Sequence, residues 1–404
     1  MTISGSRSLV VVGMVGMNVS AYAFTFVAAR IVAPHEFGAL TALLGIVLVG
    51  NVASLGLQAA TARRIAVAPE HADQIAMVTT RVTTLIALSV AGLVALSTVV
   101  LTPVLHLDTY VPVVLCGVSL VPLTIMGAQA GIAQGESRWA LLTRIYLGAG
   151  VGRLVGGVGG LAIEPSATWA MAGIAVGSWL PVVVGYRTLI FRGARDGTLG
   201  RRELMREAVL GTHALLAYFV LCNIDSLIAR NLFDEHVSGI YASGLILAKA
   251  ALFFPQFVSV VLYPDLARAD GNRARTRAVL IVAGFGAAAV AATAVLPDLA
   301  LILVGGDQYA EVSSRLWLFA LEGSMLAVVN VLVFDALARH AHGIVVILWV
   351  SVAAVVGAAY GLSVGINGLV TVVAGVAAVL ATVTWFVLPK SRASAPPTPA
   401  TTEH

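Results

Sequence analysis

Charge is what this 404-residue chain has least of: only 11% of its residues are Asp, Glu, Lys or Arg. An ordinary water-soluble protein has roughly 25%. A soluble fold of this length needs far more polar side chains to cover its surface, so a soluble enzyme, a nucleic-acid-binding protein and a disordered regulator are excluded. Cysteine is nearly absent too. Cys116 and Cys222 both fall in apolar runs, where a thiol serves as a small core residue, and two cysteines make no disulfide framework. Lysine occurs only as Lys249 and Lys390, so arginine carries the net charge of +4. The eight histidines follow no metal-ligand spacing, and the sequence has neither a nucleophile motif nor a nucleotide-binding motif.

What abounds is apolar: 59% of residues are hydrophobic, with mean hydropathy +0.95. A helix needs about 20 such residues to cross a hydrocarbon core roughly 30 Å thick. Twelve runs qualify, at 8–30, 37–60, 82–105, 110–133, 141–163, 167–187, 208–231, 239–262, 278–304, 311–336, 343–364 and 368–388. The chain therefore reads as an all-α integral membrane protein. Its first run is too long for a signal peptide and lacks a cleavage site, so it is read as the first span. With the N-terminus cytoplasmic, 19 of the 24 basic residues fall in cytoplasmic segments, which places both termini inside. The five exceptions are Arg30, Arg153, Arg230, Lys249 and Arg315, within spans or at their outer ends. Outer loops such as Glu164–Ser166 and Gly305–Ala310 are too short to hold a soluble domain.

The two halves look related. Ala29-Arg30, then Phe37-Gly38-Ala39-Leu40, is echoed by Ala229-Arg230, then Ser238-Gly239-Ile240-Tyr241, at the same place in spans 1 and 7. Six spans per half is an even number, so both halves enter the membrane in the same sense. The expectation is a parallel pseudo-two-fold repeat of six-helix lobes, with a site between them. The lobes are expected at 1–190 and 208–388, with a basic cytoplasmic linker at 191–207 and a disordered tail at 389–404.

Ionisable side chains inside a bilayer are costly and face a bundle interior or an aqueous cavity. Arg153, Lys249 and Glu322 all lie deep within spans. They line a polar cavity, or Lys249 or Arg153 forms a buried ion pair with Glu322. Helical spacing supports the cavity: Lys249, Phe253 and Gln256 share one stripe, as do Arg315 and Glu322, and Asn18, Tyr22 and Thr25. Such stripes serve equally as interhelical glue. Asp225, beside Asn223, is a protonatable or cation-binding group or half of a salt bridge. Arg30 and Arg230 snorkel to outer headgroups or face an interior cavity. Gly148, Gly152, Gly156 and Gly160 are spaced by four, a stripe that lets another helix approach closely.

Ala29-Arg30-Ile31, Pro34, Glu36-Phe37-Gly38, Gln58 and Arg63-Arg64 resemble the first hairpin of bacterial polysaccharide exporters. These form the Wzx-like branch of the multidrug/oligosaccharidyl-lipid/polysaccharide (MOP) flippase superfamily. In the second half Asn223, Asp225, Ala229-Arg230, Gly239-Ile240-Tyr241, Phe254-Pro255-Gln256 and Pro264 agree. Ala33 stands where the family often has glycine. The resemblance implies two lobes around a central cavity of the cytoplasmic membrane, alternating between inward- and outward-open states. It implies a polyprenyl-pyrophosphate-linked oligosaccharide as cargo, carried to the outer leaflet. Arg30, Arg153, Arg230, Lys249, Gln256 and Arg315 are the cavity candidates for that cargo. Asp225 and Glu322 are the candidates for coupling to H+ or Na+, with no other cofactor. Membrane lipids and the polysaccharide polymerase machinery are the further partners; no nucleic acid is. The alternative within the superfamily is a cation-coupled small-molecule antiporter, which would favour an acidic cavity. A membrane glycosyltransferase or polymerase is disfavoured by the short outer loops.

Overall fold

The computed structural model describes residues 3–190, 201–253, 271–338, 343–362 and 364–387. Among them, twelve helical stretches are long and apolar enough to cross a membrane, and no strand occurs. They are span 1 Leu9–Ile31, span 2 Pro34–Val67, span 3 Pro69–Leu96, span 4 Val111–Gly135, span 5 Trp139–Ile163 and span 6 Ala167–Gly185. The second half has span 7 Thr212–Leu232, span 8 Glu235–Phe253, span 9 Arg275–Val295, span 10 Asp307–Leu337, span 11 Gly343–Gly361 and span 12 Ile366–Val387. The segment 389–404 lies outside the described residues, as does 191–200; a helix over Arg201–Leu221 leads into span 7.

Helices outrun the apolar stretches that announce them. Span 2, expected over 37–60, covers 34 residues, about 50 Å at roughly 1.5 Å per residue. The segment 61–81 is accordingly helical up to Val67, turns at Pro69–His71, and is helical again from Ala72. Arg63 and Arg64 end the hydrophobic run but not the helix, because arginine is a good helix former. Pro69 is what stops it, lacking an N–H and clashing with the turn before. Proline also divides the run expected at 278–304: Pro297 opens a separate short helix, Pro297–Val304.

One set of packings appears twice. In the first half, span 1 packs on 5, 2 on 4, 3 on 4, 4 on 6 and 5 on 6. In the second, span 7 packs on 11, 8 on 10, 9 on 10, 10 on 12 and 11 on 12. These are two six-helix lobes in a parallel pseudo-two-fold repeat. Within the first, Gly152, Gly156 and Gly160 lie against the carbonyls of Gly177, Gly173 and Trp169, so the glycine stripe of span 5 is a packing surface for span 6. Between lobes, span 2 lies along both spans 7 and 8. Gly239 has no room for a Cβ beside the Pro34 carbonyl, which makes the outer ends of spans 2 and 8 a backbone-to-backbone contact. Away from the lobe interface, Leu88, Leu93, Val155, Val176, Val350 and Phe386 are exposed. So broad an apolar surface would aggregate in water; it suits hydrocarbon.

Candidate functional site

Span 7 is not one helix. It ends at Leu221 and restarts at Ile224, with Cys222 and Asn223 in a turn halfway along. Side chains stitch the break: Asn223 Nδ2 donates to the Phe219 carbonyl at 2.8 Å, and Ser226 Oγ donates to the Asn223 carbonyl at 2.7 Å. A discontinuous helix at membrane depth is tolerated where its freed backbone groups are buried in protein or line a cavity. Asp225 sits in the first turn of the restarted helix, 1% exposed, at the partially positive end of the helix dipole.

Three more spans converge on this break. The Tyr241 hydroxyl of span 8 donates to Asp225 Oδ2 at 3.1 Å. Its ring is held between Phe233 and Phe319, with centroids 6.1 and 5.2 Å away. Glu322 of span 10 is as buried as Asp225 and near enough for the two carboxyl groups to interact electrostatically. The Lys249 ammonium donates to Asn223 Oδ1 at 2.5 Å and interacts electrostatically with Asp225 and Glu322. Gly323 brings Lys249 and Glu322 together: it lies against the Ala248 backbone with no space for a Cβ. From the other lobe comes Arg153 of span 5, near enough for its charge to oppose that of Lys249. Its guanidinium lies 5.8 Å from the centroid of Phe24. Tyr22 of span 1 donates to the Ile246 carbonyl of span 8 at 2.9 Å, crossing the same interface. Hydrogen-bonding capacity is left over: Asp225 Oδ1 and Glu322 Oε2 have no donor, and Arg153 Nε no acceptor, among the described residues.

At the end opposite the arginine-rich one, the lobes are tied together. Arg230, 4% exposed, engages all five of its N–H donors. Nε reaches the Leu105 carbonyl at 2.8 Å; Nη1 reaches the His35 carbonyl and Ser238 Oγ, both at 3.2 Å. Nη2 reaches the His106 carbonyl at 3.2 Å and Glu235 Oε1 at 3.4 Å. Asn231 adds a bond to the Val104 carbonyl at 3.0 Å. Across the pseudo-two-fold, Arg30 donates to the Ile302 carbonyl and lies over the Phe26 ring at 3.7 Å, and Gln308 donates to the Ala29 carbonyl. Each arginine closes the first span of its own lobe and reaches main-chain carbonyls of the segment that follows the third span of the other: Leu105 and His106 for Arg230, Ile302 for Arg30.

The structure thus gathers Asp225, Lys249, Glu322 and Arg153 into one centre and leaves three other candidates outside it. Arg230 has no donor free for a phosphate and is too buried to reach a headgroup. Arg30 is exposed, but it belongs to the same outer seal. Arg315 is exposed where a 3-10 stretch, Asp307–Arg315, runs into the helix Leu316–Ala338; it stands about two turns before Glu322, at the end of the span and not at its buried middle. Gln256 lies outside the described residues. Thr25 bonds the Ala21 carbonyl of its own helix at 3.1 Å, so of its stripe it is Tyr22 that crosses between lobes. Tyr241 was not among the expected site residues. Its signal was there: spans 7 and 8 fold back at Phe233-Asp234, and Asp225 and Tyr241 are nearly equidistant from that turn.

No family model matches the sequence, and no curated protein matches it. Solved structures do match. An inward-facing multidrug resistance MATE family transporter of the MOP superfamily superposes with a TM-score of 0.73 at 13% identity, over 92% of this chain and 93% of that one. The lipid II flippase MurJ, in an inward closed conformation, gives 0.71 at 12% identity, over 94% and 86%. An outward-facing MATE family transporter gives 0.68 at 13%, over 94% of each chain. At these identities the likeness is one of fold: the twelve-helix, two-lobe fold of MOP-superfamily transporters and flippases.

Proposed function

We propose that this protein is a Wzx-like flippase. It carries a polyprenyl-pyrophosphate-linked oligosaccharide, the precursor of a cell-surface polysaccharide, from the cytoplasmic to the outer leaflet of the cytoplasmic membrane by alternating access. The observation that supports this reading is that each lobe brings one cation toward their interface, Arg153 and Lys249, whose charges oppose each other, while Arg230 ties the lobes together at one end. Like charges held close in a partly dry interior repel. A pyrophosphate placed between them replaces that repulsion with two attractions and draws the lobes together around the cargo. The unpartnered Nε of Arg153 belongs to a planar fork suited to a bidentate phosphate contact, while the lipid tail stays in the bilayer. The Asp225–Glu322 pair, with the Tyr241 hydroxyl, is the place for the coupling ion, H+ or Na+. The flipped precursor then passes to the polymerase machinery.

The buried carboxyl pair favours a second reading, a cation-coupled multidrug-type antiporter. Proteoliposomes separate the two. The flippase reading expects translocation of a fluorescent polyprenyl-pyrophosphate-linked sugar that Arg153→Gln abolishes, with no transport of a lipophilic cationic dye. Gradient-driven dye transport without movement of the sugar lipid would establish the antiporter.

A further inference from the structure

Apart from the central site, the first lobe carries a cavity of about 730 Å³ at the arginine-rich end of the bundle. Span 1 contributes Leu9, the start of span 5 contributes Ser137 to Leu141 with Arg144, and the end of span 6 contributes Val183, Val184, Tyr186 and Arg187. Three arginines therefore surround one space, and the only carboxylate beside them among the described residues is Glu136, which pairs with Arg138 at 3.4 Å. Arg187 Nε donates to the Tyr186 hydroxyl at 3.0 Å. Arg144 is exposed and has no acidic partner among the described residues. The helix of span 5 begins here without a side-chain cap, so its first amides add donors of the same polarity. The other side of the cavity is apolar and opens outwards: Leu9 and Val183 are exposed there, on the surface that faces lipid.

We propose that this cavity binds an anionic phospholipid of the cytoplasmic leaflet. The phosphate lies among Arg138, Arg144 and Arg187, and an acyl chain runs along Leu9, Leu141 and Val183. Basic pockets between spans on the cytoplasmic side select anionic headgroups in this way, and Trp139 and Tyr186 suit the level where headgroup meets chain. Because the walls come from three spans, one bound lipid clips the start of span 1 to spans 5 and 6. The proposal does not depend on what the central site carries.

The test is retention of phosphatidylglycerol against phosphatidylcholine by the purified full-length protein, read by native mass spectrometry. The expected result is one tightly retained phosphatidylglycerol, with the preference falling about tenfold or more in R138Q/R144Q/R187Q and unchanged in Arg63→Gln, which removes a basic side chain at the same end but outside the cavity. Val183→Trp, which fills the apolar wall without touching charge, should also expel the lipid; it keeps the test decisive if the triple variant does not fold. Equal retention of both lipids by the unaltered protein overturns the proposal, as does an equal loss in Arg63→Gln. Displacement of phosphatidylglycerol by equimolar polyprenyl pyrophosphate overturns it too, by making the cavity an antechamber for cargo.

Discussion

Spans 1 and 7 hold equivalent places in their lobes, yet the structure from Ile3 to Ile31 is an unbroken helix, whereas span 7 is cut at Cys222-Asn223. The offset that aligns Arg30 with Arg230 puts Asp225 on Thr25, whose hydroxyl bonds its own helix. The offset that aligns Gly38 with Gly239 puts Lys249 on Leu48. The first lobe therefore brings Arg153 and Tyr22 to the centre but none of the carboxyl chemistry. A repeat that preserves packing need not preserve function, and there is a physical reason for the asymmetry. Each buried ionised group costs several kcal/mol unless it is paired and hydrogen-bonded, so a second carboxyl cluster would double the cost for no added coupling. The two latches are unequal as well: Arg230 is saturated, while Arg30 is exposed and holds one carbonyl and an aromatic face.

The strongest way to break this comparison is to remove the chemistry of one lobe. Asp225→Asn and Glu322→Gln should each abolish gradient-driven transport in proteoliposomes, and Thr25→Asp at the mirror position should not restore it in either background. Gradient-driven transport by Asp225→Asn would place the coupling ion elsewhere.

The latches come next. Lysine has three donors where arginine has five, so Arg230→Lys loses at least two bonds. At about 1.5–3 kcal/mol for each bond to a charged group, that favours opening of the outer end by roughly a hundredfold or more. Arg30→Lys, losing less, should shift the same equilibrium by under about tenfold. Distances between spin labels at Tyr110 and Asp307 report it; equal broadening in both variants would mean that the latches share the load.

A smaller contrast separates two close helix contacts. Gly323→Ala and Gly156→Ala each force backbones apart and should cost about 1–3 kcal/mol in thermal unfolding. Only Gly323→Ala, which moves Glu322 away from Lys249, should also impair transport at matched folded protein. Smallest of all, Glu203→Gln removes an exposed carboxylate that lies 3.8 Å from the partly buried Arg64 guanidinium and should change stability by less than about 1 kcal/mol.

Twelve spans and the parallel repeat were readable from sequence because they rest on hydropathy and on an even span count. The glycine stripe of span 5 was readable for a similar reason: four-residue spacing of small residues has one main use between helices. Arg153, Lys249, Asp225 and Glu322 announced themselves by the cost of burying charge. The break in span 7 did not, since Cys222 and Asn223 are neither proline nor glycine, and the Lys249 ammonium that holds the Asn223 side chain comes from another span. Arg315 misled because a seven-residue stripe fixes a helix face and not a depth: it stands about two turns nearer the end of the span than Glu322, where it is exposed. Arg230 misled for a different reason. Its acceptors at residues 35, 105 and 106 are remote in sequence, and a side chain gripping main-chain carbonyls leaves no pattern of its own.

That choice of acceptor reaches beyond the seal itself. Main-chain carbonyls do not titrate, and a buried contact is little screened by dissolved ions. Of the five groups that accept from Arg230, four are neutral oxygens and one is the exposed carboxylate of Glu235. The Arg230 latch accordingly rests mostly on groups that do not titrate, with the exposed Glu235 carboxylate as its one acceptor that does. Asp225 and Arg230 stand on one short helix, Ile224–Leu232, so a shift of the centre is carried to the latch over a single rigid element.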